Sequence, residues 1–279
     1  MPTPMFKQII DIMQAEGFGR AIVYQAGESF AHPDIYELLE HVASRGMTAE
    51  IASKLAVSVD WERIEALADM FKSHGHQLRI VYEVDSLEKE SALKIAGRIN
   101  LSQQKQNLQA LGAIVTRRDE QLGGRNSTPG LFTTGASIVT AWNEHELDAL
   151  GKQLAAYGLP QWRPKQLGLY KIGAMTEEQH EEALTALPTN RIWRARVTAK
   201  NVNGKQRLVS NRGGCRHARR PSISPHGNVT ICCHDMNYEL ELGNVVEVGS
   251  LLKIVNSELY QTTRAQGGRR KLSICDGCN

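Results

Sequence analysis

The placement of cysteine constrains this chain more than any other feature. All five cysteines lie between residues 215 and 278, and the 214 residues before them contain none. They read Cys215, then sixteen residues, then Cys232 and Cys233, then a closing Cys275-Asp276-Gly277-Cys278. A Cys-x-x-Cys pair puts two thiolates on one tight turn, where both reach one metal centre. Cys215 and Cys232 add ligands from separate loops, and four soft thiolates suit either zinc or an iron–sulfur cluster. Zinc ribbons use two close knuckles, and this chain has one, which disfavours zinc.

The compartment bears on that reading. The N-terminal run MPTPMFKQII has no signal-peptide pattern. No run of 18 apolar residues exists to cross a membrane. A cytoplasmic, reducing environment is expected, in which cysteines act as ligands rather than disulfides. The net charge of +3 is small and the basic residues are scattered, so nucleic acid is not an expected partner. The densest basic clusters, His217 to Arg220 and Arg269 to Lys271, both flank cysteines.

The cysteine-free portion alternates helical and strand patterns. Phe6, Ile9, Ile10 and Met13 share a helical face. Arg20 to Tyr24 is a short strand run, and Pro33 suits the first position of a helix carrying Ile35, Leu38, Leu39 and Val42, which Gly46 ends. Thr48 to Ala52 and Leu78 to Tyr82 read as strands, with a helix through Ile64, Leu67, Ala68 and Phe71 between them. Helical patterns near 87–97 and 100–111 follow, and the polar run 117–130 reads as a long surface loop. A strand closes at Ser137 to Thr140. Asn143 with Glu146 resembles a capping box, a strand follows near 160–169, and Thr176 with Gln179 opens another capped helix. Such alternation implies βαβ units and a parallel sheet, with the ligand site at the C-terminal strand ends. After about residue 190 the pattern changes to short strands, glycine turns and cysteines. The sequence therefore divides into 1–190 and 191–279. Within the second part Gly227-Asn228 suits a hairpin turn that carries Cys232 on its returning strand, with Cys233 on the opposite face as a packed small hydrophobe.

Cys215, Gly227-x4-Cys232, Leu242-Gly243-Asn244-Val245 and the closing Cys275-x-x-Cys278 together resemble the C-terminal SPASM and twitch modules of radical S-adenosylmethionine (SAM) enzymes. The resemblance implies one auxiliary [4Fe–4S] cluster on Cys215, Cys232, Cys275 and Cys278, as in the shorter twitch form. The front part agrees. The strand at Arg20 to Tyr24 runs into Gln25-Ala26-Gly27-Glu28-Ser29, which resembles the GGEP segment of a radical SAM barrel, with Ala26 and Ser29 as departures. By that resemblance Gly27 and Glu28 meet the amino group of the SAM methionine. Ser53-Lys54 stands where the family often has Thr-Asn after the third strand, and Glu83 and Asp85 stand near where a Ser-x-Asp often follows the fourth, both departures from its SAM pocket. Asn143-Glu144-His145-Glu146 resembles a segment opening a late barrel helix, read as a helix cap. His32 and His145 are read as structural.

The fold implied is α/β: a partial (β/α) radical-SAM-type barrel missing its first strand, followed by the small cysteine-rich domain. Radical SAM enzymes hold a catalytic [4Fe–4S] cluster on a CxxxCxxC motif after the first barrel strand. None is present here, and MPTPMFKQIID resembles the stretch just after it. The expectation is therefore an N-terminally shortened form of a parent. That parent would use SAM and a second cluster to generate a 5′-deoxyadenosyl radical. Its substrate would be a peptide, a carbohydrate or another small molecule, and its reductant a protein such as flavodoxin or ferredoxin. The alternative is a non-catalytic iron–sulfur or zinc-binding scaffold derived from that fold.

Overall fold

The structure, a computed structural model, describes residues 1–24, 27–121, 130–166, 175–190, 192–193, 197–202, 204–210, 215, 220–232, 235, 238–268 and 272. In chain order the elements are α1 (Thr3–Ala15), β1 (Arg20–Ile22), α2 (Ile35–Ser44), β2 (Thr48–Ser53), α3 (Trp61–Ser73), β3 (Gln77–Glu83), α4 (Lys89–Ala96) and α5 (Leu101–Gln121). They continue with β4 (Gly130–Val139), α6 (Leu147–Ala156), β5 (Trp162–Gln166), α7 (Glu177–Thr185), β6 (Val197–Val202) and β7 (Lys205–Ser210). The last are β8 (Ser222–Ile223), β9 (Val229–Thr230), α8 (Val245–Val248), α9 (Leu251–Val255) and α10 (Glu258–Gly268). No described helix is long and apolar enough to cross a membrane.

Two compact units emerge. One comprises Gly17–Ile138 with Trp142–Lys165; the other gathers Met1–Glu16, Val139–Ala141 and Gln166–Asn279. The boundary near 190 read from the sequence lies inside the second of these.

The first unit is a five-stranded sheet in sequential order, β1 at one edge, with β1 to β4 paired in parallel. Each strand explains its own place. Along β2 and β3, Ala49, Ile51, Leu78, Ile80 and Tyr82 point to one face and are fully buried, as are Leu39, Val42, Ala68 and Phe71 of α2 and α3. Tyr82 has a polar end to satisfy. Its hydroxyl donates to the carbonyls of Leu159 at 3.1 Å and Gln161 at 3.3 Å, while burial raises its pKa and keeps it a donor. The other face carries a charged network. The Glu50 carboxylate accepts from Arg20, from Arg79 Nε at 3.2 Å and from the Tyr24 hydroxyl at 3.2 Å. The Arg79 guanidinium also lies 4.0 Å from the Phe132 ring centroid.

Two expectations are corrected here. The loop read over 117–130 begins later, because α5 runs to Gln121. Leu108, Leu111, Val115 and Arg118 prolong one buried stripe at helical spacing, and Arg118 pairs with Asp69 at 2.6 Å. The Asn143–Glu146 capping box does not form. Glu146 is the N-cap of α6 and makes no side-chain cap bond there. Its carboxylate instead accepts from the hydroxyls of Ser86 and Ser91, and Asn143, fully buried, donates to the carbonyls of Asp85 at 2.7 Å and Ile138 at 2.9 Å. These buried backbone and hydroxyl groups outcompete one helix terminus for the two side chains. The Thr176–Gln179 capping box does form.

In the second unit α1 buries Phe6, Ile9 and Ile10. Glu16, just past its end, accepts from the Ser250 hydroxyl and from the amides of Leu251 at 3.0 Å and Leu252 at 2.9 Å. A carboxylate at the first turn of α9 satisfies donors that the helix leaves open.

Candidate functional site

The strand ends of the first unit form a built rim. Gly27 has φ +92, a conformation that favours glycine, and open space where a Cβ would stand. Beside it the Glu28 carboxylate accepts from the amides of Lys54 at 2.9 Å and Phe30 at 3.2 Å, so it spans the ends of β1 and β2. The Ser29 hydroxyl adds a bond to the Ala52 carbonyl at 2.7 Å. Lys54 Nζ pairs with Asp85 Oδ2 at 2.8 Å, and Asp85 Oδ1 accepts the Ile138 amide at 2.9 Å, tying β2, β3 and β4 together. Gly27, Glu28, Lys54 and Asp85 are thus brought to one rim. Tyr24, on the approach to it, has a pKa pushed up to about 12, first by burial and then by Glu50. It is a neutral donor at any physiological pH.

What holds the rim was not read from the sequence. Gln104, fully buried on α5, donates to the carbonyls of Lys54 at 2.6 Å and Glu83 at 3.3 Å. One helical step on, Asn107 donates to Leu55 at 2.8 Å and Val57 at 2.7 Å. Leu55 itself is left-handed (φ 55) and fully buried, a strained state for an L-residue that its surroundings must impose. Its amide donates to Ser53 Oγ at 2.7 Å. The available signal was the position of two amides on the buried stripe of α5. Of the two histidines, His32 accepts the Asp34 amide at 3.1 Å, a local structural role, and His145 is largely exposed.

The second unit holds the cysteine loops. The hairpin forms, β8 and β9 pairing antiparallel around Gly227, φ +88, but its returning strand ends at Thr230, so Cys232 is not on it as expected. A Cβ on Gly227 would stand 2.8 Å from Asn244 Oδ1, so this turn needs glycine for space as well as for φ. Asn244 explains why the Leu-Gly-Asn turn accompanies the hairpin. Its Oδ1 caps α8 through the amides of Val246 at 3.0 Å and Glu247 at 3.3 Å. Its Nδ2 donates to the His226 carbonyl at 2.9 Å and Asn228 Oδ1 at 2.7 Å. Leu242 and Val229 complete the join, with the Leu242 amide on the Val229 carbonyl at 2.9 Å and the Val229 amide on the Gly243 carbonyl at 2.8 Å. Cys232 leaves this hairpin two residues past β9.

Cys215 is pinned elsewhere in the same unit. Its amide donates to the Gly268 carbonyl at the end of α10, 3.3 Å away. Cys275 lies seven residues beyond Gly268, a tether of at most about 25 Å. Cys215 and Cys232 are both partly buried. Two soft donors, each held by a backbone bond of its own, fit a thiolate-ligated cluster. Cys233, Cys275 and Cys278 lie outside the described residues. Among the described residues no three His, Cys, Asp or Glu side chains are grouped to hold a metal ion.

Residues 215–279 match the SPASM family, an iron–sulfur cluster-binding domain. Solved structures of radical SAM/SPASM enzymes share the fold of the whole chain. Streptococcus suis SuiB bound to S-adenosylmethionine is 13% identical with a TM-score of 0.62, covering 100% of this chain and 64% of that one. Native anSMEcpe with bound AdoMet is 11% identical at 0.55, covering 100% and 78%. The same protein with bound AdoMet and the Kp18Cys peptide is 11% identical at 0.53, covering 100% and 81%. No curated protein matches the sequence.

Proposed function

We propose that this chain, with a radical-SAM-type fold and a SPASM domain at its C-terminal end, holds one auxiliary [4Fe–4S] cluster on Cys215, Cys232, Cys275 and Cys278. The single cluster corresponds to the twitch form of the domain. The observation that carries the reading is the backbone bond from Cys215 to the end of α10 and the seating of Cys232 just past the Gly227–Asn244 join, two thiols within one unit. When bound, such a cluster supplies one-electron chemistry.

The rim of the first unit is the proposed SAM site. Glu28 presents a carboxylate whose orientation is fixed by two amides, and a carboxylate with open lone pairs can pair with an ammonium. Gly27 keeps the approach clear of a side chain. Lys54 and Asp85 neutralise each other, and Tyr24 remains a proton donor. The substrate class is a peptide, a carbohydrate or a comparable small molecule, with a flavodoxin- or ferredoxin-like reductant in the cytoplasm. The peptide held by anSMEcpe supports the first of these.

With no cysteine before Cys215, this polypeptide cannot supply a CxxxCxxC cluster of its own. Incubated anaerobically with SAM and dithionite, it is expected to form no 5′-deoxyadenosine. Catalytic turnover by this polypeptide would contradict the need for a CxxxCxxC cluster. A second reading is a non-catalytic cluster-holding scaffold. The assay separates the two when repeated on any longer product of the same gene: turnover there supports an enzyme, and none supports the scaffold.

A further inference from the structure

Among the buried acidic groups, Glu50 and Asp85 each have a cationic partner. Among the described residues Asp235 has no such partner. It is 1% exposed and is held by three neutral donors: the Thr230 hydroxyl at 3.1 Å and the amides of Glu239 at 2.8 Å and Leu240 at 2.9 Å. Burying a carboxylate without a cation is costly unless such dipoles surround it. The arrangement also requires a carboxylate. Asparagine presents one acceptor and one donor, so in either orientation it meets at least one of these amides with an N–H.

The three donors flank Cys232 on both sides. Thr230 lies on β9, two residues before it. Glu239 and Leu240 lie on the run into Leu242-Gly243-Asn244. The Asp235 amide closes a turn onto the Cys232 carbonyl at 3.2 Å, and its carbonyl accepts the Tyr238 amide at 3.2 Å. Tyr238 is left-handed, φ 54, a conformation that a bulky residue adopts only under constraint. Thr230 extends the link to the cysteine itself. Its Oγ1 accepts the Cys232 amide at 3.3 Å while its hydroxyl donates to Asp235.

We propose that Asp235 is a positioning residue that fixes the Cys232 turn for a thiolate-bound cluster and holds that cluster's reduction potential low. The inference rests on the cluster reading given above. Two physical effects act in the same direction. A fixed negative charge disfavours the added electron. A Cys232 amide committed to Thr230 is withheld from sulfur, where an N–H bond would favour the reduced state.

The test uses the full chain, reconstituted anaerobically with iron and sulfide, with iron per chain and midpoint potential as readouts. Thr230→Val is expected to keep the iron content of the parent and to titrate at a higher potential, and Asp235→Asn, which turns an N–H onto one amide, to take up less iron and to titrate higher in what it holds. Asp235→Ala, which removes all three bonds, is expected to lose most of its iron. Should Asp235→Asn fail to take up iron, Thr230→Val decides the matter, because it leaves the carboxylate and its two amide bonds in place. A parental potential in Thr230→Val and in any iron-loaded Asp235→Asn overturns the inference, as does an Asp235→Ala chain with full iron and parental potential. A parent chain that takes up no iron overturns the cluster reading instead.

Discussion

A Cys232→Ala chain, reconstituted with iron and sulfide, is expected to lose the cluster that the parent holds, whereas Cys233→Ala keeps it. The contrast follows from the hairpin. The Cys232 amide is tied to Thr230 Oγ1 and its carbonyl to the Asp235 amide, so the turn is wound on Cys232. Removing one of four thiolates leaves an iron without its protein ligand, and no described Asp, Glu or His is grouped with other ligands to replace it. The measurement is the visible absorption of the reconstituted protein together with its iron content. Loss of the cluster in Cys233→Ala with retention in Cys232→Ala would exchange the two roles.

The second large effect is on stability. Gly112 sits inside α5, where an ordinary Gly→Ala change is stabilising by about 1 kcal/mol. Here an added Cβ would stand 1.6 Å from the Tyr157 carbonyl oxygen and 2.6 Å from its carbon. Those are backbone atoms at the end of α6, and they cannot rotate away. Gly158 is locked into the same contact, since a Cβ there would lie 2.8 Å from the Gly112 carbonyl oxygen. Overpacking costs typically about 1–3 kcal/mol and more when backbone must shift. Gly112→Ala is therefore expected to destabilise the chain by at least about 3 kcal/mol, read as a lowered urea midpoint against Gly19→Ala, whose Cβ would meet nothing within 4 Å. A stabilised Gly112→Ala chain would contradict the close approach of α5 and α6.

Much of this architecture was legible in the sequence because burial writes itself as periodicity. Ile64, Leu67, Ala68 and Phe71 mark α3, and the runs at 20–24, 48–52 and 78–82 mark the first three strands. Gly227 and the Leu-Gly-Asn turn were legible as a hairpin and its companion. The structure supplies the reason they travel together: Asn244 fills the space that a side chain on Gly227 would need. What the sequence hid is polar and buried. Gln104, Asn107, Asn143 and Asp235 look like surface residues in any hydrophobic pattern. Each is inside because several groups, most of them backbone, need the same partner. The end of α5 was hidden for a related reason. Arg118 continues the buried stripe only because Asp69, on another helix, is there to meet it. The strained Leu55 could not be foreseen either, since it depends on Asn107, 52 residues away.

Whether the thiolates of this domain gather around one iron–sulfur cube is read from the metal content of the chain. Anaerobic reconstitution is expected to give about four irons and four sulfides per chain, as one cubane requires. About one zinc per chain with no acid-labile sulfide would contradict it.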